Sequence, residues 1–337
     1  MKFTLHREFP EALRNDWNAL LEESFNHVPF LRFEYLETWW QTRGGGEWPE
    51  AELAIITAEN ENGLVGIAPL FLAAWEGKRS LLLLGSIEIS DYLDLIAREK
   101  DLRDFLAGLM DFLMDAFPLE WDALDLYNIL EGSPCLDLMR QVAEVKGLKV
   151  ETSRLQHSPY IPLPGDWEAY LTGIDKKQRH EIRRKLRRAE EAGSDVRWYI
   201  VADGSTLDAE IEGFMRLMTN DEDKAKFLTP AMRAHMQQTT RCAFDAGCLQ
   251  LAFLEVKGEK AAGYLNFDYL DKLWIYNSGL DWKFSEYSPG WVLLANLIRN
   301  AIDTGRTEFD FMRGNEDYKY RFGAIDRFVM RLKILRD

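Results

Sequence analysis

The chain has few residues of the types that bind metals or form disulfides. Among 337 residues there are three cysteines and five histidines. Cys135, Cys242 and Cys248 form no Cys-x-x-Cys pair, and no two histidines have His-x-x-x-His spacing. An odd number of cysteines at these spacings favours reduced thiols in a cytoplasmic protein. Zinc sites need closely spaced Cys and His ligands, so we expect no metal cofactor.

A long apolar run is also missing. The longest weakly polar stretch, residues 63–75, is shorter than the roughly 20 residues that cross a bilayer, and it contains Gly66 and Pro69. Residues 1–8 carry charges where a secretory signal has its apolar region. The sequence therefore predicts a cytoplasmic protein without a membrane span.

Several catalytic and nucleic-acid-binding signatures are absent as well. There is no Gly-x-Ser-x-Gly, no Walker-type loop and no Gly-x-Gly-x-x-Gly, which disfavours a serine hydrolase, a P-loop NTPase and a dinucleotide-binding enzyme. The formal charge of −15, from 41 basic and 56 acidic residues, disfavours a general role in binding DNA.

What the chain does contain is enough apolar material for two cores. Hydrophobic residues make up 47% of the sequence and aromatic residues 12%, which excludes wholesale disorder. At 337 residues the chain exceeds the usual size of a single core. We expect one domain over residues 1–155 and a second over residues 156–337.

In the second half, alternating apolar residues predict three consecutive strands over residues 249–256, 261–269 and 273–280. A helical period follows from Trp291 and ends at Gly305, and a further strand ends at residues 309–311. This order predicts a right-handed crossover from strand to helix to strand.

The turn that opens this helix suggests a ligand site. Ser288-Pro289-Gly290 comes between the third strand and the helix. A glycine turn at that point leaves unpaired N–H groups and the positive end of the helix dipole facing outward, an arrangement that binds phosphate groups. By itself such a tripeptide is more often a plain turn, and it is the surrounding order of elements that favours the phosphate site.

The first half repeats the same succession without the glycine turn. Strands are expected over residues 53–57, 64–73 and 79–84, a helix over residues 102–117 and a strand over residues 123–127. We interpret this half as a degenerate copy that binds no cofactor and walls a substrate cleft. Asp91, Tyr92 and Asp94 either contact a polar substrate there or cap and pair within a surface turn.

One segment opposes the acidic character of the chain. Residues 176–188 contain eight lysines and arginines and one acidic residue, Glu181. Asp175 is the expected N-cap of a helix here, and Gly193 the expected stop. The helix either holds an anionic group, such as the 3′-phosphate of coenzyme A, a nucleotide-sugar or a tRNA end, through Arg179 and Arg183, or is a solvated helix paired with carboxylates.

Taken together, the order of elements resembles the acyl-CoA-binding half of the GNAT acetyltransferase superfamily. The closest resemblance is to double-domain acetyltransferases of the cellulose-biosynthesis type, which are related to the Fem-type peptidyltransferases. It is carried by Tyr287-Ser288-Pro289-Gly290, by the string from Asp310 to Lys319 and by residues 157–163. The usual GNAT loop, Arg or Gln followed by Gly-x-Gly or Gly-x-Ala, is reduced here to the single Gly290. The resemblance implies an α/β fold with mixed sheets, in two tandem GNAT-like domains of which the first is degenerate.

It also implies where acetyl-CoA or another acyl-CoA binds and how an acyl group reaches an amine. The residues expected at the cofactor are Asn277, Ser278, Ser288, Gly290, Trp291 and Asn315. Backbone N–H groups near Asn277 and Ser278 would polarise the thioester carbonyl.

Acyl transfer further needs a proton for the departing thiolate and a base for the amine. Tyr318 is the expected general acid, because an ordinary tyrosine pKa near 10 keeps it protonated at pH 7. Glu316 and Asp310 are the expected bases, acting through water. Arg313 and Lys319 either bind an anionic substrate or pair with neighbouring carboxylates in a surface turn.

Three functions follow. The first is an acyl-CoA-dependent N-acyltransferase that modifies an amine of a small molecule, a polysaccharide or the cell envelope. The second is a Fem-like, aminoacyl-tRNA-dependent peptidyltransferase, which the basic helix permits but which the lack of a long heptad-bearing insertion disfavours. The third is a non-catalytic accessory protein of polysaccharide biosynthesis with a decayed cofactor site.

Overall fold

The computed structural model describes residues 1–336, without the side chain of Ser194. These residues form two compact units. The first comprises residues 1–156 together with the chain from Phe328 onward, and the second comprises His157–Arg327.

Fourteen strands are present in the described chain. They are β1 (Lys2–His6), β2 (Glu52–Asn60), β3 (Gly63–Trp75), β4 (Lys78–Leu83), β5 (Ile96–Ala97), β6 (Ala123–Leu130), β7 (Lys149–His157), β8 (Tyr160–Pro162), β9 (Val196–Ile200), β10 (Leu249–Val256), β11 (Glu259–Tyr269), β12 (Lys272–Leu280), β13 (Glu308–Asp310) and β14 (Phe328–Leu335).

The same residues form twelve α-helices. They are α1 (Arg14–Glu22), α2 (Phe33–Gln41), α3 (Arg43–Gly46), α4 (Glu99–Asp111), α5 (Pro134–Val145), α6 (Trp167–Gly173), α7 (Lys176–Glu191), α8 (Leu207–Met218), α9 (Glu222–Phe227), α10 (Pro230–Asp245), α11 (Pro289–Asp303) and α12 (Asp317–Arg321). None of the helices in residues 1–336 is both long and apolar enough to cross a membrane.

The sheet of the first unit has the strand order β1-β2-β3-β4-β6-β14-β7, with β5 paired to β3. Its hairpins are antiparallel, and β4 and β6 run parallel because α4 carries the chain between them. Helix α4 packs closely on the sheet at Gly66, where a Cβ atom would come within 2.3 Å of the Phe105 ring.

The sheet of the second unit has the order β8-β13-β12-β11-β10-β9. Here β12 and β13 are the parallel pair, and α11 is the crossover between them. They pair only over Lys272–Trp274 and Glu308–Asp310, whereas β12 continues to Leu280. Because β13 ends at Asp310, β12 has no strand beside it on that side after Trp274 within the described residues.

Both units thus contain the same succession of an antiparallel three-stranded meander, a helix and a parallel strand, as the sequence predicts. Strand bounds agree with the prediction to within three residues, and α7 begins after its expected N-cap. The Asp175 carboxylate accepts hydrogen bonds from the amides of Lys177 and Gln178, at 2.8 and 3.3 Å. The predicted helix over residues 102–117 is instead α4 from Glu99 to Asp111, followed by a π-helical turn over Phe112–Ala116.

The carboxyl end differs from the expected domain boundary. Instead of continuing the second domain to residue 337, the chain returns to the first unit at Phe328, and β14 is inserted between β6 and β7. Strand β14 alternates buried and less buried residues, as many strands do. Nothing in that local pattern specifies which sheet it joins.

Candidate active site

A cavity of about 330 Å³ opens in the second unit at the end of β12 and the start of α11. The cavity is lined by Ser288, Gly290 and Trp291, three of the residues predicted for the cofactor site. Ser278 and Tyr318 also line it. The remaining lining residues are Lys185, Tyr264, Leu280, Asp281, Trp282, Ser285, Pro289 and Leu294.

The start of α11 presents hydrogen-bond donors to this cavity. Ser288 has left-handed backbone angles, φ 51° and ψ 51°, and Pro289 occupies the first helical position. The first bond to this turn is donated by Val292 to the Ser288 carbonyl, at 3.1 Å. Within residues 1–336, the amides of Gly290 and Trp291 have no hydrogen-bond acceptor. With the positive end of the helix dipole, these amides form a site suited to an anion.

A lysine from the basic helix lies beside these amides. Lys185 lines the cavity, and its Nζ atom lies 3.9 Å from the centre of the Trp291 ring. Burial lowers the pKa of this ammonium group, and the attraction of Glu181, 3.4 Å away, opposes that shift. Lys185 is thus a cation on the wall of the cavity, although the sequence analysis singled out Arg179 and Arg183 instead.

Arg179 and Arg183 lie outside the cavity lining. Arg179 donates to the carbonyls of Leu171 and Thr172 at the end of α6, both at 3.3 Å. Arg183 pairs with Glu168 at 2.5 Å. Further along α7, the cations of Arg184, Arg187 and Arg188 lie within 4.0 Å of carboxylates. These contacts support the paired, solvated interpretation for most of this helix.

Tyr318 reaches the cavity from α12. Its ring packs edge-to-face on Phe311, with 5.9 Å between ring centres. Burial raises the pKa of its hydroxyl well above the ordinary value, and Tyr264 and Glu316 add to the shift. The hydroxyl therefore stays protonated over the physiological range, which a proton donor requires.

A second tyrosine, Tyr264 in β11, lines the same cavity and is 5% exposed. Burial raises its pKa as well. No sequence pattern indicated Tyr264, because counting the β11–β12 register back from the turn at residues 270–271 places it opposite Asn277. A β-bulge adds one residue to β12 between Ile275 and Asn277, so Tyr264 lies opposite Ser278 instead.

The backbone of Ser278 is already hydrogen-bonded. Its amide donates to the side-chain oxygen of Asn277 at 2.9 Å. Its carbonyl accepts from the Nζ atom of Lys224 in α9 at 2.5 Å. Burial lowers the pKa of Lys224, a residue for which the sequence analysis had no motif or pattern.

Loop 312–316, ahead of Tyr318, is organised by Lys319. The side chain of Lys319 is 3% exposed. Its Nζ atom donates to the carbonyls of Arg313, Gly314 and Met312, at 2.8, 3.1 and 3.4 Å, and lies 3.0 Å from Glu316. Lys319 therefore holds the loop, and it does not line the cavity.

The other predicted residues of this segment also lie outside the cavity lining. Asp310 is completely buried, accepts a hydrogen bond from the Met312 amide at 2.7 Å and pairs with Arg327. Glu316 and Asn315 are exposed, and Arg313 is partly buried. Of these, Glu316 is the carboxylate whose charge acts on Tyr318.

In the first unit, Asp91, Tyr92 and Asp94 are buried. Tyr92 has no exposed surface. The Asp94 carboxylate accepts from Ser133 Oγ at 2.6 Å, from the Leu95 amide at 2.8 Å and from Asn26 at 3.2 Å. Burial raises its pKa despite these bonds. This segment is an internally bonded turn of the first unit.

Among the described residues, no group of three or more His, Cys, Asp or Glu side chains could hold a metal ion. The three cysteines are free, with Cys135 and Cys248 buried and Cys242 partly buried.

Comparison with known proteins places this geometry in context. Residues 176–320 match the family described as "Acetyltransferase (GNAT) domain". No curated protein matches the chain significantly.

Solved structures resemble the fold over nearly the whole chain. The structure titled "Crystal structure of FemX" is 12% identical, with a TM-score of 0.66, covering 98% of this chain and 97% of that one. A conserved protein of unknown function from Bacteroides thetaiotaomicron is 12% identical, with a TM-score of 0.64, covering 99% and 100%. The C-terminal domain of a putative lysylphosphatidylglycerol synthetase from Agrobacterium fabrum is 12% identical, with a TM-score of 0.54, covering 83% of each chain.

The match and the topology agree on the part of the chain that contains the cavity. The hairpin β10–β11, the open edge of β12, α11 and Tyr318 all fall within the matched residues. Residues 176–320 therefore match a GNAT acetyltransferase domain, and the chain has the fold of two tandem GNAT-like units.

Proposed function

We propose that this protein is an acyl-CoA-dependent N-acyltransferase, and that its second unit binds acetyl-CoA or another acyl-CoA in the 330 Å³ cavity. The observation that carries the proposal is the pair of unbonded amides of Gly290 and Trp291 beside the Lys185 ammonium. Donors and a cation at a helix start suit the pyrophosphate of coenzyme A.

The chemistry is direct transfer to an amine. The amine attacks the acyl carbon, the C–N bond forms as the C–S bond breaks, and the thiolate takes a proton from Tyr318. The amine loses its proton to water, for which Glu316 is the candidate base because it is exposed to solvent, whereas Asp310 is completely buried and paired with Arg327. The acceptor is an amine of a small molecule or a glycan, as in the cellulose-biosynthesis type of acetyltransferase that the sequence resembles.

A single glycine is enough for this loop because the approach to the amides stays open. A Cβ atom on Gly290 would lie 2.8 Å from the Leu280 side chain, another lining residue. A larger side chain at 290 therefore projects into the cavity and displaces the ligand.

Calorimetric titration of the full chain with acetyl-CoA tests the proposal. We expect one equivalent to bind, and Gly290→Val to weaken binding by tenfold or more, which is about 1.4 kcal/mol. Gly165→Val is the matched control, since a Cβ atom there meets nothing within 4 Å. Absence of binding by the parent, or equal binding by both variants, contradicts the proposal.

The same titration separates the alternatives. A Fem-like peptidyltransferase would bind aminoacyl-tRNA in preference to acyl-CoA. FemX has a similar fold over the whole chain, yet the longest helices among residues 1–336 have 16 residues, short of a long coiled-coil arm. A non-catalytic accessory protein would bind neither donor.

A further inference from the structure

In the wall of the cavity that β12 forms, the backbone amide and carbonyl of Ser278 are already hydrogen-bonded. The Ser278 amide donates to the Asn277 side chain, and the Ser278 carbonyl is held by Lys224. In an antiparallel pair of strands, opposed residues alternate. One pair exchanges backbone hydrogen bonds, and in the next pair the N–H and C=O groups point away from the partner strand. The Asp281 amide donates to the Ala261 carbonyl at 2.9 Å, so by this alternation the Tyr264–Ser278 pair, three positions along, exchanges no ladder bonds.

Side chains of such a pair lie close together on the same face of the sheet. Tyr264 and Ser278 both line the cavity. Tyr264 is 5% exposed. Within residues 1–336 its hydroxyl makes no hydrogen bond, and it is not one of the completely buried polar atoms that lack a partner, so it is accessible from the cavity. A tyrosine hydroxyl that faces a cavity is a donor available to a ligand bound there.

We propose that the Tyr264 hydroxyl is the hydrogen-bond donor to the thioester carbonyl oxygen, and that it stabilises the negative charge that develops there. The inference rests on the proposed acyltransferase function and adds a catalytic residue to it. Tyr318 and Tyr264 then divide the work, because Tyr318 protonates the thiolate and Tyr264 binds the oxyanion.

Each tyrosine acts at the atom on which negative charge develops in one step of the reaction. When the amine attacks, the carbonyl π electrons move to oxygen, where Tyr264 donates a hydrogen bond and transfers no proton. When the intermediate collapses, the C–S electrons leave with sulfur, which takes the Tyr318 proton. Tyr318 regains its proton from solvent, and Tyr264 is unchanged over the cycle.

The first test observes the carbonyl directly and needs no acceptor. Acetyl-CoA carrying ¹³C at the carbonyl is bound to the full-length protein without an amine, and its isotope-edited C=O stretching band is recorded. We expect Tyr264→Phe to shift the band to higher frequency, because a hydrogen bond is lost. Tyr318→Phe is expected to leave the band in place. No shift in Tyr264→Phe overturns the inference.

The second test compares leaving groups. With an amine that the parent acetylates, Tyr264→Phe is expected to lower kcat by about 10²- to 10³-fold, the usual loss for one oxyanion donor. The loss should be the same for acetyl-CoA and for an acetyl thioester of a more acidic aromatic thiol. Tyr318→Phe should recover activity with the more acidic thiol, because that thiolate needs no proton to leave.

Three results would overturn the inference and point elsewhere. Recovery of Tyr264→Phe with the acidic thiol would make Tyr264 the proton donor. A full loss in Ser278→Ala with parent-like activity in Tyr264→Phe would make the Ser278 hydroxyl the donor. A Tyr264→Phe variant that unfolds or loses acetyl-CoA affinity would make the hydroxyl structural. Failure of the parent itself to bind acetyl-CoA would remove the proposed function, and this inference with it.

Discussion

At the scale of single residues, Lys319 and Tyr318 show how a buried charge positions a neighbouring side chain. The Lys319 ammonium gathers three backbone carbonyls of residues 312–314. Two of these residues have positive φ angles, 57° at Met312 and 108° at Gly314. Such angles lie outside the helix and strand regions, so the loop has no regular backbone hydrogen-bond pattern. Because Lys319 supplies the donors, the loop keeps this shape, and Tyr318 is placed at the cavity.

We expect Tyr318→Phe to lower kcat by about 10²- to 10⁴-fold, the range typical of general acid catalysis. The ring and its contact with Phe311 are kept, so the melting temperature and acetyl-CoA affinity should not change. Since burial raises the pKa of Tyr318, its titration should cause no loss of parent turnover below about pH 10.

Steady-state kinetics over a pH series, with calorimetry for acetyl-CoA binding, measure these quantities. Parent-like turnover with several amines would show that the proton comes from water or another residue. Loss of acetyl-CoA binding would show that the hydroxyl holds the cofactor.

At the scale of elements, helix α7 has an outward face of paired cations and one lysine at the cavity. Its outward cations pair with carboxylates, as Arg183 does with Glu168 and Arg184 with Glu181. Exposed pairs of this kind contribute little to stability. Lys185, in contrast, is 15% exposed and lies at the cavity. The number of basic residues in α7 therefore matters less for binding than the position of this one.

We expect Lys185→Gln to weaken coenzyme A binding about tenfold, because a charge-assisted hydrogen bond contributes roughly 1.5–3 kcal/mol. Arg183→Gln is the matched control on the same helix and should bind like the parent. Calorimetry over a salt series provides the measurement. The parent affinity should fall as salt rises and that of Lys185→Gln less steeply. Equal losses in both variants would instead support a diffuse electrostatic role for the whole helix.

At the scale of the whole molecule, the last strand ties the end of the chain to the first unit. Arg331 and Lys333 of β14 contact Asp125 of β6 and Glu76 in the β3–β4 turn. Asp125 is completely buried, and Arg331 donates to both of its carboxylate oxygens, at 2.8 and 2.7 Å. A buried carboxylate needs such partners, and the sequence supplies them about 200 residues later.

Because of these ion pairs, the free energy of unfolding depends on pH in the acid range. Hydrogen bonds from Arg331 and Lys333 lower the pKa of Glu76 from 4.5 to about 2. A carboxylate whose folded pKa is lowered stabilises the fold above its unfolded pKa and loses that contribution as pH falls through the folded value. We expect Glu76→Gln to reduce the fall in the free energy of unfolding between about pH 4.5 and pH 2.

Urea unfolding at a series of pH values measures this dependence. Glu61→Gln, at an exposed glutamate in the β2–β3 turn, is the control and should keep the parent slope. An identical acid slope in Glu76→Gln and the parent would show that the ion pairs do not contribute to stability at low pH.

Local sequence patterns were sufficient for eight of the strands and for the helices α4, α7 and α11. Alternation over Leu249–Val256 gave the bounds of β10, and the period after Ser288-Pro289-Gly290 gave α11. The same turn also led to the cavity, because an anion site at a helix start depends on a few consecutive residues. Tyr318 was predicted because the segment from Asp310 to Lys319 resembles the corresponding segment of GNAT acetyltransferases.

The sequence by itself determined the two α/β repeats, the capped basic helix and the glycine turn, since each depends on residues within one or two turns of the chain. Only the tertiary structure decided the partners of side chains that act at a distance. A one-residue bulge placed Tyr264 opposite Ser278. The buried Lys319 side chain bonds to the loop of residues 312–316, and β14 pairs within the first sheet. Register and strand pairing depend on contacts between residues far apart in the sequence, and no local pattern encodes them.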